Sequence, residues 1–158
     1  MPFATRRIFV ALVICAATLT ACFTTPRPTA SAPCVTEKTR ELTIRWGTQD
    51  DSLNVIDVYR MNTRGEIFHY RGRSAETVPD AYLLHIDQSE YCASASSVNA
   101  CFLKTQALST GARKTRFVEY FNPATDVYLR ASWNPDLQTF QSRDMRKEYD
   151  QLMSLVSK

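Results

Sequence analysis

The stretch LNVIDVYRMNTRGEIFHYR, residues 53–71, decides the fold because it contains a complete β-hairpin signal. Residues 53–61 are rich in the β-branched and aromatic side chains that favour strands. Residues 62–65, Asn-Thr-Arg-Gly, supply turn chemistry, and an aromatic-rich strand resumes over residues 66–71. The pattern therefore predicts two neighbouring antiparallel strands.

Further strand patterns flank this hairpin. Upstream, Leu42, Ile44 and Trp46 alternate with polar residues, which is the period of a strand with one buried face. Downstream, residues 82–86 predict a short strand after the break at residues 78–80.

A second hairpin is predicted over residues 116–133. Residues 116–121 form its first strand and residues 122–126 its turn. The second strand alternates apolar with polar or amphipathic side chains, its apolar members being Val127, Leu129, Ala131 and Trp133.

Two helices complete the pattern. Asp87 is a candidate cap with Glu90 three residues later, and the apolar face consists of Tyr91, Ala95, Val98 and Phe102. The serine-rich stretch 94–97 leaves a partly irregular segment as an alternative. Ser142 is the candidate cap of the last helix, whose apolar face consists of Met145, Tyr149, Leu152 and Val156. Without a β-α-β rhythm, this order predicts an α+β fold in which an antiparallel sheet of about five to six strands carries two helices packed on one face.

The first residues have the layout of a secretory signal. Arg6 and Arg7 precede an apolar stretch over residues 8–19, and small residues follow before a cysteine. The apolar stretch is shorter than the roughly 20 residues that a spanning helix needs, so we expect removal rather than permanent insertion.

Leu19-Thr20-Ala21-Cys22 resembles the lipobox of bacterial lipoprotein precursors, a likeness that covers residues 1–22 alone. The resemblance implies a lipid on the Cys22 sulfur and cleavage between Ala21 and Cys22. Phe23 stands where lipoproteins retained in the inner membrane usually carry Asp. The resemblance therefore implies that the protein is located at the periplasmic face of the bacterial outer membrane. The alternative is an ordinary secreted protein with a chance cysteine.

These signals divide the chain into a signal peptide (1–21), a lipidated cysteine with a flexible linker (22–33) and one globular domain (34–158). The linker is expected because FTTPRPTASAP, residues 23–33, offers almost nothing to bury. Loss of Arg6 and Arg7 with the signal lowers the net charge from +3 to about +1. Nucleic-acid binding then has no electrostatic support.

Three cysteines remain in the predicted domain, Cys34, Cys92 and Cys101, in a compartment that permits disulfides. One bridge and one spare thiol are expected, and three pairings satisfy this. If residues 87–104 are helical, Cys92 and Cys101 lie about 13 Å apart along the axis and cannot bond, whereas Cys34 can reach either.

The sequence contains no catalytic, cofactor or metal signature. Its two histidines, His69 and His85, lie outside every metal-binding motif, so we expect no metal site. It has neither a nucleophile elbow nor a glycine-rich phosphate loop, and therefore predicts no cofactor and no catalytic residue.

Two clusters are candidate binding surfaces. The first is Arg60, Arg64, Arg71 and Arg73 around the first hairpin, a candidate site for an anionic envelope group or a partner. The alternative is a charged, protected sheet edge. The second is the aromatic hairpin with Phe117, Tyr120, Phe121, Tyr128 and Trp133. Because the helices bury one face only, aromatic side chains on the other face are the candidates for an anchor patch.

We therefore expect a non-enzymatic, lipid-anchored periplasmic module that binds a protein or a cell-wall component. An envelope enzyme is the first alternative, and it requires a pocket with convergent polar groups such as His69 or His85 beside an acid. A structural lipoprotein that forms disulfide-linked dimers is the second.

Overall fold

A computed structural model describes residues 34–73, 80–105 and 108–157. In chain order they form β1 (Thr43–Asp50), β2 (Val55–Met61), β3 (Glu66–Arg73), β4 (Ala81–His85), α1 (Gln88–Lys104), β5 (Lys114–Asn122), β6 (Val127–Trp133) and α2 (Arg143–Val156). The predicted α+β class and number of strands are confirmed. The predicted signal peptide, Cys22 and the linker lie outside the described residues.

The strands form a single antiparallel sheet in the order β4-β3-β2-β1-β5-β6. Both predicted hairpins are confirmed, as β2-β3 and β5-β6. A 3-10 turn at Pro123–Thr125 joins β5 to β6, and Asp126 takes a positive φ of 53° directly after it. Because β1 pairs with both β2 and β5, it joins the two hairpins into one sheet.

Both helices pack on one face of the sheet. Strand alternation directs Ile44, Trp46 and Val118 into the same core as Val98 and Leu152 of the helices. The predicted faces of both helices contact this core, although Phe102 and Val156 at their ends are only partly buried. Cys101 and Leu155, which the prediction did not include, are buried in the same core.

The helix starts differ in how they are capped. Asp87 is a true cap, because its Oδ1 accepts a hydrogen bond of 2.8 Å from the backbone N of Glu90. Ser142 precedes α2 as predicted, but its hydroxyl makes no capping bond. It instead accepts a hydrogen bond from Arg146 Nε at 3.0 Å.

The sheet has two distinct ends. At the entry end, residues 34–42 lead into β1, the turn 62–65 joins β2 to β3, and α1 begins. At the far end, β1 finishes, β5 starts and α2 begins. The helices therefore run antiparallel, and Ser97 of α1 donates to Glu148 of α2 at 2.6 Å.

Candidate functional site

The three cysteines of the described residues form one disulfide and leave one free thiol. Cys34 and Cys92 form a disulfide with a Cα–Cα distance of 5.5 Å, which ties the entry segment to α1. Cys101 is free and buried in the core, and burial raises the pKa of its thiol. The neutral, inaccessible thiol is poorly placed for exchange with another chain.

The four arginines around the first hairpin do not converge. Arg60 lies on the face opposite the helices and pairs with Asp80. Arg64 in the turn pairs with Glu66 at 2.8 Å. The other two lie on the helix side of β3, where Arg71 is 3.7 Å from a carboxylate oxygen of Asp57 and Arg73 is exposed at the strand end.

Register brings a different set of arginines together on the open face, the sheet face opposite the helices. Arg45, Arg60 and Arg130, here called the arginine row, lie on one line across β2, β1, β5 and β6. Glu119 occupies the position between Arg45 and Arg130.

Glu119 anchors this row. Its side chain is 1% exposed, and its Oε1 accepts hydrogen bonds from Arg130 and from the Tyr128 hydroxyl at 2.9 Å. Arg45 Nη1 lies 3.1 Å from Oε2 without the alignment of a hydrogen bond. Burial and, to a smaller extent, the hydrogen bond to Glu119 raise the pKa of the Tyr128 hydroxyl.

Arg45 and Arg60 are directly opposite each other on neighbouring strands, although like charges in that arrangement destabilise a sheet. The guanidinium of Arg60 lies 4.5 Å from the centroid of Phe68, and that of Arg130 lies 4.5 Å from the centroid of Phe117. These cation–π contacts hold the side chains of Arg60 and Arg130 against the sheet.

Exposed aromatic rings border the arginine row. Phe121 (42% exposed) and Tyr128 (56%) form an edge-to-face pair on the β5-β6 hairpin. On the other side, Phe68 and the 60% exposed Tyr82 form a second such pair. Core packing therefore explains Tyr120 and Trp133 of the predicted aromatic hairpin, whereas Phe121 and Tyr128 face outward.

A histidine and an acid meet on the helix side of the sheet. His69 Nε2 lies 2.8 Å from Asp57 Oδ1, and the His69 ring stacks on Tyr59, which stacks in turn on Trp46. Each of the two polar side chains is about 30% exposed, at 31% and 30%. His85 is exposed at the end of β4.

The far end of the sheet contains a cleft of about 620 Å³, here called the basic cleft. Its charged lining comprises four basic side chains and one acidic one: Arg116, Arg143, Arg146, Lys147 and Asp150. Arg116 comes from β5 and the others from α2, while Gln138, Thr139 and Phe140 come from the loop that precedes α2.

Arg146 is committed to holding that loop. Its guanidinium donates to the carbonyl oxygens of Asn134 at 2.6 Å, Pro135 at 3.1 Å and Leu137. These three hydrogen bonds fix one wall of the basic cleft.

Within the described residues, no group of three His, Cys, Asp or Glu side chains is arranged to hold a metal ion. Neither α1 nor α2, the α-helices of the part of the chain that the structure describes, is long and apolar enough to cross a membrane. Comparison of the sequence with protein-family models and with curated proteins found no match.

Proposed function

We propose that the protein is a lipid-anchored envelope protein, held at the periplasmic face of the bacterial outer membrane, that binds a partner protein without catalysing a reaction. The observation that supports this best is the open face, where the arginine row is bordered by the aromatic pairs Phe68–Tyr82 and Phe121–Tyr128. Arginine and aromatic residues are the side chains that dominate protein interfaces.

The partner is expected to present acidic and aromatic side chains. The three guanidinium groups of the arginine row form ion pairs with only two carboxylates, those of Glu119 and Asp80. The row therefore retains a positive charge. The like-charge pair Arg45–Arg60 costs stability in the free protein, and an acidic partner residue above it would remove that cost. The anchor contributes by confining the domain near its partner.

The test is a crosslinking pull-down from intact envelopes with the full-length protein as bait. Phe121→Ala should lose the partner, whereas Phe140→Ala, which removes a ring that is 78% exposed outside the open face, should retain it. Arg60→Gln and Arg64→Gln form a second matched pair, because both arginines are ion-paired and only Arg60 belongs to the arginine row.

A Cys22→Ala bait, which lacks the sulfur that would carry the lipid, tests the anchor. Recovery of a stoichiometric protein that depends on Cys22, Phe121 and Arg60 supports the proposal. Recovery that is indifferent to Phe121→Ala and Arg60→Gln contradicts docking on the open face.

One observation favours the enzymatic alternative, the His69–Asp57 pair, which is the histidine beside an acid that such an enzyme requires. The stacking of His69 on Tyr59 gives the same pair a structural use. If cell-wall fragments incubated with the protein are cleaved, and His69→Gln abolishes cleavage without lowering the melting temperature, the enzyme replaces the binding module. The disulfide-dimer alternative has little support, because the free thiol of Cys101 is buried.

A further inference from the structure

The basic cleft is chemically separate from the open face. It lies on the helix side at the far end, and its charged side chains converge from β5 and α2. Arg143, Lys147 and Asp150 recur at spacings of four and three along α2, so they share one helical face.

The basic side chains of the basic cleft differ in whether they already have a partner within the protein. Arg146 is bonded to the loop, and Arg143 lies over the Phe140 ring with its Nε 3.3 Å from Asp144. Within the described part of the chain, neither Arg116 nor Lys147 has an ion pair or a hydrogen bond from its side chain. Arg116 is held by its ring contact with Tyr149, at 5.0 Å from the centroid, which leaves its donors free.

We propose that the basic cleft binds a phosphoryl group carried on a larger organic body. The lining has four bases and one acid, and Asp144 pairs with Arg143, so the local charge is about +2. This charge suits a phosphomonoester with about two negative charges better than a single carboxylate. The free donors of Arg116 and Lys147, with Arg143 beside them, would receive the phosphoryl oxygens.

The size and walls of the cleft indicate the organic body. A volume of about 620 Å³ falls within the range of pockets for small organic ligands. The exposed ring of Phe140 and the apolar ring of Pro135 provide a wall on which an aromatic or aliphatic group can lie.

The experiment is isothermal titration calorimetry of the full-length protein in a non-ionic detergent. Phenyl phosphate carries both proposed features, phenylacetate keeps the ring with a single charge, and inorganic phosphate lacks the ring. We expect phenyl phosphate to bind at least about tenfold more tightly than either of the others.

Variants assign the binding to the cleft. Arg143→Gln and Lys147→Gln should each raise the Kd for phenyl phosphate about tenfold, since each removes a charged donor at an exposed position. Arg40→Gln is the matched control, because it removes an equal charge from an exposed arginine at the entry end. Arg146 is avoided because its loss would release the loop.

Dihexanoyl phosphatidic acid tests whether the natural phosphoryl group belongs to a lipid headgroup or to a soluble compound. If it binds at least as tightly as phenyl phosphate, the natural phosphoryl group belongs to a lipid headgroup; if only phenyl phosphate binds, the source is soluble. The proposal is overturned if phenyl phosphate gives no heat up to about 10 mM, if phenylacetate binds equally well, or if Arg40→Gln weakens binding as much as Lys147→Gln. None of these results depends on the partner protein or the anchor.

Discussion

Individual buried polar groups in this domain fall into two kinds, bonded and orphaned. In buried Glu119, Oε1 accepts hydrogen bonds from Tyr128 and Arg130. The Tyr91 hydroxyl and the Trp46 indole N–H are buried without a hydrogen-bond partner in the described structure. Since an unpaired buried donor loses its bonds to water without replacement, the orphaned groups should cost stability and the bonded ones should contribute it.

Tyr91 gives a direct test. Its hydroxyl is unpaired, and burial raises its pKa to about 12. We expect Tyr91→Phe to leave the free energy of unfolding unchanged or to increase it by up to about 1 kcal/mol. Tyr128→Phe, which removes a hydroxyl bonded to Glu119 at 2.9 Å, should instead lower it by about 1 kcal/mol. Urea denaturation measures both, and equal losses would contradict the distinction.

Glu148 should make stability depend on pH. Burial between the helices raises the pKa of its carboxyl above the ordinary value of 4.5, despite the hydrogen bond from Ser97. The folded state therefore holds this proton more tightly than the unfolded state, so the contribution of the group is favourable below pH 4.5 and is lost as the pH rises through the folded pKa.

We accordingly expect Glu148→Gln to keep the bond to Ser97, to melt about 2–4 °C above the wild type at pH 7, and to lose that advantage near pH 4. The difference between the two melting temperatures should be measured across this range. A difference that does not vary with pH would show that the ionised carboxylate is not destabilising.

At the scale of elements, the sequence predicts what depends on local pattern and misses what depends on register. Alternation in Leu42, Ile44 and Trp46 identifies β1, because burying one face of a strand leaves that trace in the sequence. The pairing of Cys34 with Cys92 depends on where the entry segment contacts α1. The spacing of the cysteines in the sequence does not predict that contact.

The disulfide that joins the entry segment to α1 should contribute strongly to stability. It links residues separated by 58 positions, and the loss of chain entropy in the unfolded state corresponds to about 4 kcal/mol. Cys34→Ser/Cys92→Ser should therefore unfold at a markedly lower urea concentration than the oxidised wild type, and reduced wild type should behave like the double variant. Coincident unfolding curves for all three would mean that the bridge only records a contact already held by packing.

At the scale of the whole molecule, the binding candidates arise from residues far apart in sequence. Arg45 and Arg130 meet Glu119 only through the order of the strands, so each appears in the sequence as an ordinary polar position. Arg143 and Lys147 were more accessible to prediction, because their spacing of four on α2 is visible directly. Arg116 completes the basic cleft only through the packing of β5 against α2.

Cys34, where the predicted anchor would join the domain, lies at the entry end, whereas the basic cleft lies at the far end. If the anchor is present, this arrangement predicts how the protein is oriented. The eight residues of β1 separate the two ends by about 25 Å. If residues 22–33 form the predicted flexible linker, their root-mean-square span is about 20 Å, and folding back to bring the far end to the membrane is unfavourable.

The expected result is that a fluorophore attached at Thr63→Cys, in the entry-end turn, is quenched by headgroup-labelled lipid more strongly than one at Gln138→Cys beside the basic cleft. The lipidated protein in vesicles is the sample, and buried Cys101 should not take up label. Because the two labelled positions lie at opposite ends of the same domain, the ratio of their quenching does not depend on the density of protein on the vesicles. Equal or stronger quenching at Gln138→Cys would place the basic cleft against the bilayer, and lipid headgroups would then be the nearest supply of its phosphoryl group.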